Sequence, residues 1–125
     1  ALEEDNSSPD FWLLSAKAAR GLGRPQEALA NLNAAIMLAP QRQDLLANKA
    51  LWLYELQRYT ESAQIAQQIL SQVPANQLAR LVLAMDEYYL GNKKDSASLM
   101  RQIVEDDPDT FTGKVTQLLL KQLHF

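Results

Sequence analysis

The chain has 125 residues, of which 47% are hydrophobic, a formal net charge of −3 and no cysteine. This length fits one domain that buries roughly two thirds of its unfolded surface. The absence of cysteine excludes disulfides and thiolate metal sites, and the scattered charges of both signs argue against a nucleic-acid surface, which would show a basic stripe. No apolar run of about 18 residues is present, so direct membrane insertion is not expected.

Residues 1–8 are mostly polar and are predicted to form a lead-in to a single domain that spans 9–125. Ser8 is followed by Pro9 and Asp10, the order typical of an N-cap, a first helical position and an acidic first turn. The first helix is therefore predicted to begin at Pro9 and to end near residue 20.

Turn and helix signals then recur along the chain. Gly21 and Gly23 predict a turn, since glycine tolerates a positive φ, and Pro25 is typical of the start of a helix. A proline also follows each second helix, because its ring cannot continue one. The next five helices are predicted over about 25–39, 43–56, 59–71, 77–90 and 93–106.

A seventh, capping helix is predicted over about 110–123. Its apolar residues are Leu118, Leu119, Leu120 and Leu123. Such a helix is needed to cover the apolar face that ends a helical array. Gly113 is expected to weaken its first turn by about 1 kcal/mol relative to alanine.

The helix signals repeat with a period of 34 residues. Moving the sequence by this step superimposes six columns that keep residue type or size without an insertion, among them Pro40, Pro74 and Pro108, and Ala16, Ala50 and Ala84. Agreement of this extent indicates three tandem units, predicted over about 9–42, 43–76 and 77–110.

These columns resemble the tetratricopeptide repeat. With Pro9 as its first position, the first unit carries the aromatic, small, glycine and proline residues of that family's pattern, which here are Trp12, Ala16, Gly23, Ala28, Ala35 and Pro40. The later units match less closely, since Leu46 and Arg80 occupy the aromatic position. The resemblance covers about 9–108 and implies an all-α solenoid of antiparallel helix pairs with a terminal capping helix.

The small columns predict where the two helices of a unit cross. The pairs are Ala16 with Ala28, Ala50 with Ser62, and Ala84 with Ser96. A larger residue at such a crossing would overpack it at a cost of roughly 1–3 kcal/mol.

The sequence lacks the side-chain arrangements typical of catalysis or cofactor binding. The only histidine is His124, and the carboxylates within 105–109 do not have the ligand spacing of a calcium loop. A protein that is not an enzyme is therefore predicted, with no catalytic, cofactor or metal residue. Lys49 and Glu87 occupy columns that the family fills with core residues, and both are expected at the exposed edge of the packing.

A second face of each first helix carries the candidate site. The resemblance implies that this face lines a concave groove in which peptides or helices bind, and it is mainly polar in the first unit and apolar in the third. The predicted groove residues are Leu13, Lys17, Arg20, Asp44, Asn48, Leu51, Tyr54, Leu78, Leu81, Met85 and Tyr88, with Asp10 and Ala47 on the same face.

Contiguous exposed apolar residues of this kind usually mark a binding site. The chain is therefore predicted to be a non-catalytic protein–protein interaction module that binds a helix or peptide, within a larger protein or complex. The alternative is a structural or self-assembly scaffold whose groove is filled by its own terminal helix or by another protomer. The composition favours a bacterial protein, cytoplasmic or envelope-associated.

Chaperone-binding members of the family hold a terminal carboxylate through five polar positions. Here those positions are Leu13, Lys17, Asn48, Leu78 and Val82. Only Asn48 matches, so the sequence does not predict a carboxylate clamp.

Overall fold

The structure is a computed structural model that describes residues 8–125. Apart from Ser8, the predicted lead-in lies outside the described residues. The described chain is all-α, as predicted, and its helices are α1 (Pro9–Gly21), α2 (Pro25–Leu38), α3 (Gln43–Glu55), α4 (Tyr59–Gln72), α5 (Gln77–Tyr89), α6 (Lys93–Asp106) and α7 (Phe111–Gln122).

Local signals in the sequence begin these helices. Proline occupies the first turn of α1 and of α2, where no intrahelical partner is needed for its nitrogen. The Asn76 side chain accepts a hydrogen bond from the Ala79 amide at 3.0 Å, and the Thr110 hydroxyl accepts one from the Gly113 amide at 3.0 Å. These side chains satisfy amides that a helix leaves free at its start.

The turn inside each unit requires one residue with a positive φ. Gly23 and Gly91 supply it in the first and third units, with φ of 75° and 93°. Gln57 holds the equivalent place in the second unit with φ 63°. A side chain there is strained, because only glycine adopts this region without a steric cost.

The predicted helix crossings are confirmed. Ala16, Ala50 and Ala84 are fully buried. The Ser62 hydroxyl donates to the Ala50 carbonyl oxygen at 2.8 Å, and the Ser96 hydroxyl donates to the Ala84 carbonyl oxygen at 2.6 Å. The serines therefore join the helices of their units by a buried hydrogen bond as well as by close packing.

Helix α7 packs on α6 at the end of the array. Gly113 is buried there, and a Cβ atom at this position would overlap the carbonyl oxygen of Asp107. Gly113 therefore has a role beyond its helix propensity, because the missing side chain allows α7 to approach the end of α6.

The first helices of the units form the inner layer. Helices α3 and α5 contact each other directly, whereas α4 and α6 are separated by a cavity whose lining includes Leu70 and Leu99. The closer spacing of α3 and α5 places them on the concave side of the array.

Lys49 and Glu87 are half-buried rather than fully exposed. Glu87 accepts a hydrogen bond from the Asn92 side chain at 2.7 Å. Lys49 lies close enough to Glu61 to contribute to the lowering of that carboxyl's pKa, an effect due mainly to Arg58.

Candidate partner-binding groove

Ion pairs join the first and second units at one end of their inner helices. Arg42, just before α3, donates to Asp10 of α1 at 2.7 Å and to Asp44 of α3 at 2.7 Å. The hydrogen bond from Arg42 holds the pKa of Asp44 below its usual range. Asp10 and Asp44, both predicted on the groove face, are thus brought together by a third residue.

Arg20 makes the corresponding link at the other end. Its Nε donates to Glu55 of α3 at 3.0 Å, and its guanidinium lies 5.4 Å from the centre of the Trp52 ring. Arg20 is therefore committed to contacts between α1 and α3.

Tyrosines join the second and third units. The ring of Tyr54 lies 5.7 Å from that of Tyr59 and 6.0 Å from that of Tyr89. Tyr59 and Tyr89 stack at 4.9 Å with an angle of 9° between their planes. Burial is the main cause that raises the pKa of Tyr54 to about 12, so its hydroxyl stays neutral at ordinary pH.

The inner face of α5 carries an apolar row formed by Leu78, Leu81, Met85 and Tyr88. Leu78 is 36% exposed and the other three are half-buried. The Tyr88 and Phe125 rings are nearly perpendicular, with their centres 5.3 Å apart. The amine of Lys93 lies 5.2 Å from the centre of the Tyr88 ring. The last residue of the chain therefore contacts one end of the apolar row.

The predicted groove residues differ in how accessible the structure leaves them. Lys17, Arg20, Asp44 and Leu78 are exposed, whereas the half-buried members are Leu13, Asn48, Leu51, Tyr54, Leu81, Met85 and Tyr88. The Asn48 amide donates to the Asp44 carbonyl oxygen at 2.9 Å. Ala47 is only 5% exposed and packs in the core with residues of α4 and α5, so its placement on the groove face is wrong.

Sequence reasoning missed Asp86, which is fully buried in α5. Neither of its carboxylate oxygens has a hydrogen-bond partner within residues 8–125. Burial raises the pKa of Asp86 to about 7, against an opposing effect of the Ser62 hydroxyl. The signal was present in the sequence as an acid directly after the apolar stretch that ends at Met85.

Arg80 shows why the third unit departs from the family's aromatic position. Its side chain is 10% exposed and donates to Asp106 at 2.9 Å, with Asp107 at 4.0 Å. The acidic segment within 105–109 therefore supplies the partner of a buried guanidinium.

No cluster of three or more histidine, cysteine or acidic side chains suited to a metal ion occurs within residues 8–125. Over the same residues, none of the helices combines the length and apolar character needed to cross a membrane.

Comparison with known proteins gives a consistent result. A family model for the tetratricopeptide repeat matches residues 13–77, just over half of the chain. The fold resembles the tetratricopeptide repeat domain of Arabidopsis OM64 with a TM-score of 0.79, at 19% identity over 95% of this chain and 98% of that one. No curated protein sequence gives a significant match.

Two further solved structures share the fold. A tetratricopeptide repeat protein from Parabacteroides merdae has a TM-score of 0.78 at 21% identity over 92% of this chain, which spans 46% of that protein. The second tetratricopeptide domain of human RPAP3, in complex with the HSP70 peptide SGPTIEEVD, has a TM-score of 0.72 at 16% identity over 93% of this chain and 100% of that one. With its period, its crossings and its family match, the chain belongs to the tetratricopeptide repeat family, whose fold is generally a protein–protein interaction module.

Proposed function

We propose that the chain binds a helix or an extended peptide along the inner face of α1, α3 and α5, without catalysis. The observation that carries the proposal is the apolar row of α5. A surface that had only to remain solvated would not need four large apolar side chains in succession. Met85 adds adaptability, because an unbranched thioether side chain fits partners of varied shape.

The charges of the first unit orient the partner. Arg20 is engaged by Glu55, whereas Lys17 is exposed and forms no ion pair within the described chain. A partner in this groove therefore places its apolar anchors on α5 and an acidic group near Lys17. Anchors contribute most of the binding energy, and rim charges contribute mainly to association rate and salt dependence.

The partner differs in chemistry from the peptide bound by the human RPAP3 domain, whose sequence ends in Glu-Glu-Val-Asp. Three of the five positions that would hold a carboxylate are apolar here, namely Leu13, Leu78 and Val82. Val82 is also 1% exposed and cannot reach a ligand. Apolar anchors are therefore proposed as the main determinant of binding.

A peptide selected from a random library on the immobilised protein provides the probe. Calorimetry should show that Leu81→Ala and Tyr88→Ala each weaken its binding about tenfold or more, while melting is largely unchanged. Met85→Ala should also weaken binding, and the matched control Met37→Ala, which alters an exposed methionine of α2, should not. Unchanged binding by folded Leu81→Ala and Tyr88→Ala would exclude the α5 face.

Two further measurements use the same calorimetric binding assay. Lys17→Glu should weaken binding less than the apolar variants do, and mostly at low salt, where exposed charges are poorly screened. The peptide SGPTIEEVD should bind poorly to the wild-type chain. Tight binding of that peptide would contradict the preference for apolar anchors.

One observation favours a second candidate, a groove filled by the chain itself. Phe125 already contacts Tyr88. If this contact fills the site, removal of residues 124–125 should strengthen peptide binding. Equal binding before and after the removal would show that Phe125 does not compete with the partner.

A further inference from the structure

The outward side of α1 is apolar and uncovered in the described chain. We call it the N-terminal face, formed by Phe11, Leu14, Ser15, Ala18 and Leu22. Leu14 is 69% exposed and Leu22 is 71% exposed. An open cavity of about 470 Å³ is lined by four of these residues, Phe11, Ser15, Ala18 and Leu22, and is bounded on the α2 side by Arg24, Glu27 and Asn31.

The repeat shows what kind of element covers such a face. One unit later, Phe11 and Ala18 become Leu45 and Trp52, which are 0% and 4% exposed. Leu14 becomes Asn48 one unit later, which is half-buried, and Val82 two units later, which is 1% exposed. These equivalents lie on α3 and α5, which pack against α2 and α4. The N-terminal face is therefore a unit-to-unit contact surface that lacks its apolar helix.

Helix α7 presents a suitable surface at the opposite end of the molecule. Its outward stripe is Phe111, Val115 and Leu118, spaced as neighbours on one side of a helix. Phe111 is 83% exposed and Leu118 is 56% exposed. Exposed lysines at 114 and 121 flank the stripe. The edge of the cavity carries Glu27 and Arg24, which pair with each other at 3.7 Å, so the apolar side chains rather than charge are the basis of the match.

The residue at position 118 shows that this stripe does not suit the helix crossing found within each repeat unit. It falls in the column of Ala16, Ala50 and Ala84, where a small side chain lets the second helix of a unit cross closely. A leucine in that column would overpack such a crossing. Leu118 instead projects as a knob that the cavity beside the N-terminal face can receive.

We propose that the N-terminal face binds a second copy of this chain, with the α7 stripe of one molecule packed on α1 of the next. The two contacting surfaces differ, so the interface is head-to-tail. Each added copy leaves one face of each kind free, and growth continues unless a ring closes.

The test pairs one variant of each face. In sedimentation-velocity experiments, the mean mass of the wild-type chain should rise with concentration. Leu14→Glu and Phe111→Glu should each sediment as monomers, because each has lost one side of the interface. An equimolar mixture of the two should form a one-to-one dimer with twice the monomer mass and nothing larger, because each retains the face that the other lacks.

Controls separate this interface from others. Leu14, Phe111 and Met37 are exposed, Tyr88 is half-buried, and unchanged melting of each variant should show that the fold is kept. Met37→Glu, at an exposed residue of α2, should associate like the wild type. Tyr88→Ala should do so too, which separates this contact from the groove.

Four outcomes would overturn the proposal. They are a wild-type chain that is monomeric at every concentration, a mixture that stays monomeric, continued association of Phe111→Glu alone, and loss of association in Tyr88→Ala. The third would indicate a contact between two α1 helices, and the fourth a contact through the groove.

Discussion

Asp86 combines complete burial with the absence of any hydrogen-bond partner in the described chain for its carboxylate oxygens. Because burial disfavours the charged form, its pKa is raised to about 7. The folded chain then keeps a proton that the unfolded chain releases near pH 4. The resulting contribution to stability is present below about pH 4 and is lost as the pH rises toward 7.

Asp86→Asn should remove this pH dependence, because an amide does not ionise. The free energy of unfolding of the variant, relative to the wild type, should increase between pH 5 and pH 8. Urea denaturation at several pH values measures this free energy difference, and the same substitution at the exposed Asp109 is the control. Parallel stability profiles for Asp86→Asn and the wild type would show that Asp86 is not protonated in the folded chain.

Gly113→Ala should destabilise the chain, although alanine is the better helix former. The added methyl group meets the Asp107 carbonyl oxygen, and relief of that overlap is expected to cost about 1–3 kcal/mol. Gly21→Ala is the matched control, since a Cβ atom there has open space. Chemical denaturation measures the free energy of unfolding of both variants. If Gly113→Ala is at least as stable as the wild type, Gly113 does not approach the Asp107 carbonyl closely.

The pairing of individual side chains was the least predictable part of the molecule. Arg80 was recognised as a departure from the family pattern, but its partner Asp106 lies 26 residues away and could not be identified from spacing. Likewise, Arg20 was assigned to the groove, whereas its guanidinium binds Glu55 on the next inner helix. Such contacts depend on how units stack, which no local pattern encodes.

At the level of elements, the sequence predicted each helix boundary to within one residue. Proline, glycine and asparagine act through the backbone of their own turn, so these signals do not depend on distant packing. The crossings were predictable for a related reason. A column that stays small over three units indicates a close approach of two backbones.

Ala50→Leu tests the crossing of α3 and α4. Ala50 is fully buried and accepts a hydrogen bond from Ser62, so the larger side chain should destabilise the fold by about 1–3 kcal/mol. Ala30→Leu is the matched control, because it makes the same substitution on the exposed side of α2, away from any helix crossing. If the denaturation midpoint of Ala50→Leu matches that of the wild type, this crossing is not close-packed.

At the scale of the whole molecule, the stability of the helical array depends on the cover that α7 provides over its last unit. Helix α7 packs on α6 and buries Thr116. Removal of residues 110–125 should expose the apolar side of α6 and cause aggregation or a less cooperative unfolding transition. Light scattering and thermal melting report these effects, with removal of 124–125 alone as the control. A soluble truncated chain with unchanged melting would show that α7 is dispensable.

The solenoid could be predicted because a period of 34 residues specifies one helix pair repeated along the chain. The joints between units could not be predicted in the same way. Arg42 and Arg20 link the first unit to the second, whereas Tyr54, Tyr59 and Tyr89 link the second to the third. Apart from Tyr54, none of these residues recurs at the 34-residue period of this sequence, so the period did not predict either joint.

The difference between the two joints makes their side-chain contacts respond differently to the electrolyte around the molecule. Exposed ion pairs such as Arg42 with Asp10 weaken as salt is added, because charges are screened over about 8 Å at physiological ionic strength. Contacts between tyrosine rings are not screened in this way. We expect concentrated salt to weaken the polar contacts between the first and second units and to leave the tyrosine contacts unchanged, while the buried cluster that includes Leu32, Leu45 and Trp52 keeps the first two units packed.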